Sequence, residues 1–94
     1  MLYNVSYDLS EDNDRYAELE SAIMKLGPAV RCLQSTWLLI SNLSANAIRE
    51  ALTETVGEPF HCLITEVPGR NNAWSLLVSR GVRDWRRVNG VEME

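Results

Sequence analysis

Residues 3–8 alternate between apolar or aromatic and polar side chains, which is the pattern of a β-strand with one buried face. The face predicted to be buried carries Tyr3, Val5 and Tyr7. The opposite face ends in Asp8, the last residue of a strand predicted over residues 2–8. A strand-end carboxylate followed by a polar run and a helix begins many functional sites, and also many ordinary loops. Asp8 is therefore the first candidate site residue.

Two later segments carry apolar residues at helical spacing. The first covers residues 13–26 and stops at Gly27-Pro28, a pair that ends helices. The second covers about residues 44–56, with Ser44 as its predicted N-cap and Gly57 as its terminator.

Three further segments have the character of strands: Ala29–Leu33, Thr36–Ser41 and His61–Val67. The middle one contains a nearly continuous apolar run, which suits a strand that is buried on both faces. Gln34-Ser35 lies between the first two, and it predicts either a tight hairpin turn or a bulge.

The predicted order is strand, helix, strand, strand, helix, strand, with two helices on one face of an antiparallel sheet. This is the α+β ferredoxin-like βαββαβ arrangement, and it accounts for residues 1–69. Residues 70–94 form an arginine-rich C-terminal extension of the same single domain. Within it, residues 73–78 predict a fifth strand or a helical turn, and residues 80–88 a short helix. The second sheet face then needs cover from a partner or from this extension.

Composition places the chain among small globular proteins. It has 94 residues, of which 46% are apolar, and no apolar run approaches the length of a membrane span. No signal peptide is visible, so we expect a cytoplasmic protein with no membrane partner. Cys32 and Cys62 lack paired spacing and are expected to be buried, reduced thiols.

Charge is distributed unevenly along the chain. The net charge is −4, which argues against a generally basic nucleic-acid binder. Residues 1–69 hold four basic and ten acidic side chains, whereas residues 70–94 hold five arginines and three acids. A phosphate-binding surface should therefore involve the C-terminal quarter.

Three short strings, together with the predicted topology, resemble a known family. Val5-Ser6-Tyr7-Asp8-Leu9 is similar to a first strand that ends in an aromatic-Asp-aliphatic trio. Arg15 matches a basic position at the entry to the first helix, and Gln34-Ser35-Thr36-Trp37 resembles a Ser-x-aromatic signature with a shortened gap. The family is the small CRISPR-associated protein of family two, the dimeric subunit of the spacer-integration complex. The likeness covers roughly residues 2–67.

The ferredoxin-like relatives of that family include VapD-type toxins and SinR-family proteins. Residues 70–88, with Trp74 and Trp85, look closer to the SinR-family branch. This chain also departs from typical integration subunits because those are more basic.

The resemblance implies a homodimer whose two sheets face one another. In family members with nuclease activity, two copies of the strand-one Asp hold one divalent metal near the two-fold axis. That role transfers to Asp8, as catalytic residue and as ligand of Mg²⁺ in a Mg²⁺-dependent endonuclease. The alternative is that Asp8 is an exposed turn residue that caps the loop over residues 9–13.

The candidate nucleic-acid-binding residues are basic or hydroxyl-bearing: Arg15, Ser35, Arg80, Arg83, Arg86 and Arg87. The arginines of the extension contact phosphates in one interpretation, and pair with the acid-rich N-terminal part in the other. Trp37 is expected in the core. His61, the only histidine, has no evident partner in the sequence and is expected at a strand edge. Glu66 is expected to face solvent, the alternative being a second site carboxylate.

Two functions remain open from the sequence. One is a metal-dependent nuclease or nucleic-acid-binding homodimer. The other is a catalytically inert dimerisation module that serves a protein partner in defence or regulation. Both require the same dimeric scaffold.

Overall fold

The computed structural model describes residues 1–8, 15–57, 60–67 and 80–91. Its elements are β1 (Leu2–Asp8), α1 (Tyr16–Lys25), β2 (Ala29–Leu33), β3 (Thr36–Ile40), α2 (Ala45–Val56), β4 (His61–Val67) and α3 (Arg80–Val88). The four strands form one antiparallel sheet in the order β2-β3-β1-β4. A small α+β architecture is thus confirmed, and it is compatible with a ferredoxin-like fold. Residues 73–78, where a fifth strand or a helical turn was predicted, lie outside the described residues.

The helix ends follow from local chemistry. The Ser44 side chain accepts a hydrogen bond from the Ala47 amide at 3.1 Å, so the predicted N-cap of α2 is confirmed. Gly57 ends α2 at a positive φ of 73°, as its position predicted. The first helix begins at Tyr16, later than predicted, and residues 13–14 lie outside the described residues.

The link between β2 and β3 contains both features that the sequence left open. Gln34 and Ser35 form a two-residue turn. The register also shifts between Arg31 and Leu33, so Cys32 occupies a β-bulge. A bulge of this kind twists its strand more strongly and changes the direction of its side chains.

The main core lies between the sheet and the helices α1 and α2. β1 contributes its alternate residues, which confirms the face predicted for them, and the helices contribute their apolar stripes. The buried members are Tyr3, Val5, Tyr7, Leu19, Ile23, Trp37, Leu39, Ile48, Leu52 and Val56. Trp37 is in this core, as expected, and its indole Nε1 donates to the Tyr7 hydroxyl at 3.1 Å.

The second sheet face is partly covered by α3. Leu38 points away from the main core because its neighbour Leu39 points into it. Leu38 is nevertheless only 3% exposed, and so is Val82 of α3, which packs against β2. The C-terminal extension therefore covers the β2–β3 half of this face. Cover by the extension was one of the two expectations from the sequence, and cover by a partner was the other. No helix in the described segments is long and apolar enough to cross a membrane.

Candidate functional site

Asp8 lies at the exposed end of β1, on the sheet face opposite the main core. Its side chain is exposed, while Tyr7 before it is buried in the core. Of the described elements, α3 is the one on this face, and it packs at β2 rather than at β4. The predicted position of Asp8, on the polar face and away from α1 and α2, is confirmed.

His61 lies directly opposite Asp8 on the neighbouring strand. The antiparallel register of β1 and β4 pairs Asp8 with His61, the first residue of β4. Directly opposed residues project from the same face, and His61 is exposed as Asp8 is. His61 has no evident partner in the sequence because 52 residues lie between it and Asp8, and a register between distant strands is not visible in a local pattern.

A row of hydroxyl and amide side chains continues from Asp8 along the same face. The Ser6 hydroxyl donates to the Asn4 Oδ1 at 3.1 Å. Ser6 Oγ also lies 3.2 Å from Thr36 Oγ1 across the β1–β3 pairing. These groups give the face a polar, hydrogen-bonding centre that runs between two strands.

Ser35 is brought to the same end of the sheet as Asp8. The Tyr7 amide donates to the Ser35 carbonyl at 3.1 Å, so the β2–β3 turn lies beside the end of β1. Two predicted site residues, Asp8 and Ser35, are therefore neighbours in space through the residue that precedes Asp8.

An apolar side chain borders this polar row. Leu63 pairs with Ser6 and is 63% exposed, although it sits in the middle of β4. Thr65, two residues further along the same face, is also exposed. The β1–β4 half of the second face thus combines an exposed leucine with polar groups.

Arg15 lies in the helix layer and not beside Asp8. Its guanidinium donates to the Val56 carbonyl at the end of α2, at 3.1 Å, and pairs with Glu18 at 2.8 Å. A cation at this point complements the negative end of a helix. Arg15 therefore joins α1 to α2, which is a role that its position in the sequence did not reveal.

The arginines of α3 differ in exposure. Arg83 and Arg87 are exposed, and Arg87 pairs with Asp84 at 2.7 Å. Arg86 is half-buried, and its Nε has no hydrogen-bond partner among the described residues. The helix that carries them matches the one predicted over residues 80–88. The side chain of Arg80 lies outside the described part of the structure.

The remaining candidates lie apart from Asp8. Glu66 pairs with Tyr3, so it projects from the face opposite to Asp8, and it is exposed as expected. Cys32 and Cys62 are unpaired and half-buried. Burial raises the pKa of both thiols, and the Arg86 charge partly offsets the rise in the pKa of Cys32. Within the described segments, no group of three or more His, Cys, Asp or Glu side chains is placed to hold a metal.

A groove of about 410 Å³ lies on the outer surface of the helix layer. Its lining comes from α1 and from Thr55 of α2, and includes Glu18 and Lys25. None of the residues predicted for metal or nucleic-acid binding lines it.

Comparison with known proteins finds no match to this chain among family models, curated proteins or solved structures.

Proposed function

We propose that this chain is a ferredoxin-like βαββαβ protein of the cytoplasm that acts as a homodimer. In this proposal it resembles the CRISPR-associated proteins of family two, and Asp8 holds a divalent cation such as Mg²⁺ for binding or cleaving nucleic acid. The observation that carries the proposal is the place of Asp8. It is an exposed carboxylate at a strand end, on a sheet face that α1 and α2 do not cover.

The element order and the strand order β2-β3-β1-β4 support the ferredoxin-like part of the proposal. In this sheet the two central strands are antiparallel, so the C-terminal end of β1 lies next to the N-terminal end of β3. Ser35 and Asp8 lie at that common end, through the hydrogen bond from Tyr7 to Ser35.

The exposed β1–β4 half of the second face supports a homodimer. Leu63 is 63% exposed there beside Ser6 and Thr65, and burial against a second copy would remove its apolar surface from water. A two-fold contact uses the same patch on both subunits, so it would bring two Asp8 carboxylates toward one axis. Two carboxylates with completing waters suit the oxygen preference of Mg²⁺.

Nucleic-acid binding has its support in α3. Arg83 and Arg87 are exposed on this helix, where they are accessible to phosphate oxygens. With a net charge of −4, the protein would rely on this local basic surface and on the bound cation.

The second candidate function is a catalytically inert dimerisation module for a protein partner. It is favoured by the engagement of two candidate arginines within the fold, since Arg15 pairs with Glu18 and Arg87 with Asp84. In this function the sheet face with the exposed Leu63 is the surface that binds the partner, and Asp8 is a solvated strand-end residue.

The test measures mass and cleavage on the same samples. Sedimentation or light scattering should give a dimer, and Leu63→Asp should shift it toward the monomer. Cleavage of RNA and DNA should need Mg²⁺ or Mn²⁺ and be lost in Asp8→Asn. Glu66→Gln is the matched control, because it neutralises an exposed carboxylate on the opposite sheet face.

A folded dimer without cleavage, and without salt-sensitive nucleic-acid binding, would reject the first function in favour of the interaction module. A protein that stays monomeric at all concentrations would reject both.

A further inference from the structure

The pairing of Asp8 with His61 brings two metal-binding side chains together. They occupy directly opposed positions on β1 and β4 and are both exposed. Opposed residues have Cβ atoms about 4.5–5.5 Å apart and project from one face. The pair also contains the only imidazole of the chain.

We propose that Asp8 and His61 form a two-donor site for a divalent transition-metal ion of the Mn²⁺, Ni²⁺ or Zn²⁺ class. This inference rests on the proposed function in taking Asp8 as a cation ligand. It changes the chemistry of that site, because an imidazole nitrogen joins the carboxylate oxygen. Mg²⁺ prefers an all-oxygen shell, whereas an imidazole with a carboxylate suits these transition metals.

The spacing of the two residues fits one shared ion. Metal bonds to imidazole nitrogen and carboxylate oxygen are about 2.0–2.2 Å, so the two donor atoms around an ion lie roughly 3 Å apart. Side chains from opposed Cβ atoms converge to such a separation without backbone movement. Because both groups are exposed, binding needs no burial of charge.

The side chains of Asp8 and His61 are not engaged elsewhere in the described part of the fold. No ion pair or side-chain hydrogen bond joins either of them to another described residue. The two other donor residues of β4 project from the core-side face, since Cys62 pairs with Tyr7 and Glu66 with Tyr3. The described part of each chain therefore supplies two ligands, and water, a phosphate oxygen or the pair of a second copy can take further positions.

Calorimetry on protein without a histidine tag tests the site. ZnCl₂ and NiCl₂ should bind at one ion per chain, or one per two chains in a dimer. His61→Gln and Asp8→Asn should each lower the Zn²⁺ affinity by at least about tenfold, since even outer-shell changes cost 10–100-fold. Glu66→Gln should leave the affinity unchanged. Thermal melts should show that both site variants remain folded, because both positions are exposed.

Nuclear magnetic resonance gives a second measurement. The single imidazole should show Zn²⁺-induced shifts, and Mn²⁺ should broaden its signals together with those of Asp8. Zn²⁺ affinity that survives His61→Gln or Asp8→Asn would overturn the inference, and so would an imidazole that does not respond to either ion.

The failure of this inference differs from the failure of the proposed function. Mg²⁺-dependent cleavage that needs Asp8 and not His61, in a chain that fails the Zn²⁺ test, would leave the proposed function standing. Zn²⁺ binding that needs both residues, in a chain without nuclease or nucleic-acid binding, would retain the site and remove the proposed function.

Discussion

Gly27 lies where the turn after α1 passes close to the end of β3. It has a φ of 155°, and a Cβ at this position would overlap the carbonyl of Ile40. The opposing atoms belong to the backbone of a central strand, so they have little freedom to move. The hydrogen bond from the Ile40 amide to the Pro28 carbonyl, at 2.9 Å, fixes the approach further.

We expect Gly27→Ala to lower the free energy of unfolding by roughly 3 kcal/mol, through the clash and the unfavourable φ together. Gly90→Ala is the control, because Gly90 has a φ of 70° but no atom within 4 Å of its added Cβ. That substitution should cost only about 1 kcal/mol. Urea unfolding measures both, and equal losses would show that the contact with Ile40 is unimportant.

At the residue scale, the sequence pattern predicted the sheet face on which Asp8 lies. It did not predict which residue lies opposite Asp8. Strand alternation was enough to place Asp8 on the polar face, because it depends on neighbours within the same strand. His61 and Arg15 gained their partners from other elements, β1 in one case and α2 in the other. Such contacts depend on register and helix packing, which one sequence does not encode locally.

At the scale of elements, α3 is held by a small contact with the sheet. Val82 is 3% exposed against β2, while Val88 of the same helix is 82% exposed. Cys32 belongs to β2, the strand that this helix contacts, and the Arg86 charge lowers the pKa of its thiol against the larger effect of burial. The reactivity of Cys32 therefore reports whether α3 is docked.

We expect Val82→Asp to release α3, because the substitution removes the buried apolar contact of Val82 and a carboxylate loses its hydration when it is buried against the sheet. A loss of more than about 1.4 kcal/mol of docking energy raises the undocked population about tenfold, and Cys32 alkylation should rise with it. Cys62, on the core-side face, serves as an internal reference.

Val88→Asp, the same change at an exposed site, should leave the labelling rate of Cys32 unaltered. If Val82→Asp also leaves it unaltered, α3 does not protect the thiol. Peptide mass spectrometry separates the two cysteines.

The elements themselves were mostly predictable, because each follows from a short pattern. The α2 cap, the stop at Gly27-Pro28 and the buried strand β3 are confirmed. The combination of a turn and a bulge between β2 and β3 was not decided, since no glycine marks either one. The sequence did not decide whether α3 or a partner covers the second sheet face. Amphipathic spacing shows that a helix has an apolar side, but not what that side contacts.

At the scale of the whole molecule, two half-buried thiols and one buried phenol make the free energy of unfolding depend on pH in the alkaline range. Burial is the main cause that raises the pKa of Cys32, Cys62 and Tyr7 above ordinary values of 9.0 for the thiols and 10.0 for the phenol. For each, the folded protein holds its proton to a higher pH than the unfolded chain does. The stabilisation is complete below the unfolded pKa and is lost as the pH rises through the folded one.

We therefore expect the free energy of unfolding to fall as the pH rises above about 9. Urea unfolding in a reducing buffer, repeated from neutral to alkaline pH, measures the fall. The double variant Cys32→Ala/Cys62→Ala should show a shallower fall that begins nearer the tyrosine range. A wild-type stability that stays constant or increases across this range would contradict the assignment.

The position of α3 also sets an order of events in folding. β4 and β2 are the opposite edges of the sheet, and twelve residues separate Val67 at the end of β4 from Arg80 at the start of α3. The surface that receives α3 is assembled from β2 and β3, with Leu38 as its buried member. This surface is complete only when β2 and β3 have paired, so we expect α3 to dock after that hairpin has formed. Because α3 belongs to the same chain as the hairpin, its docking is an intramolecular step with a high effective concentration.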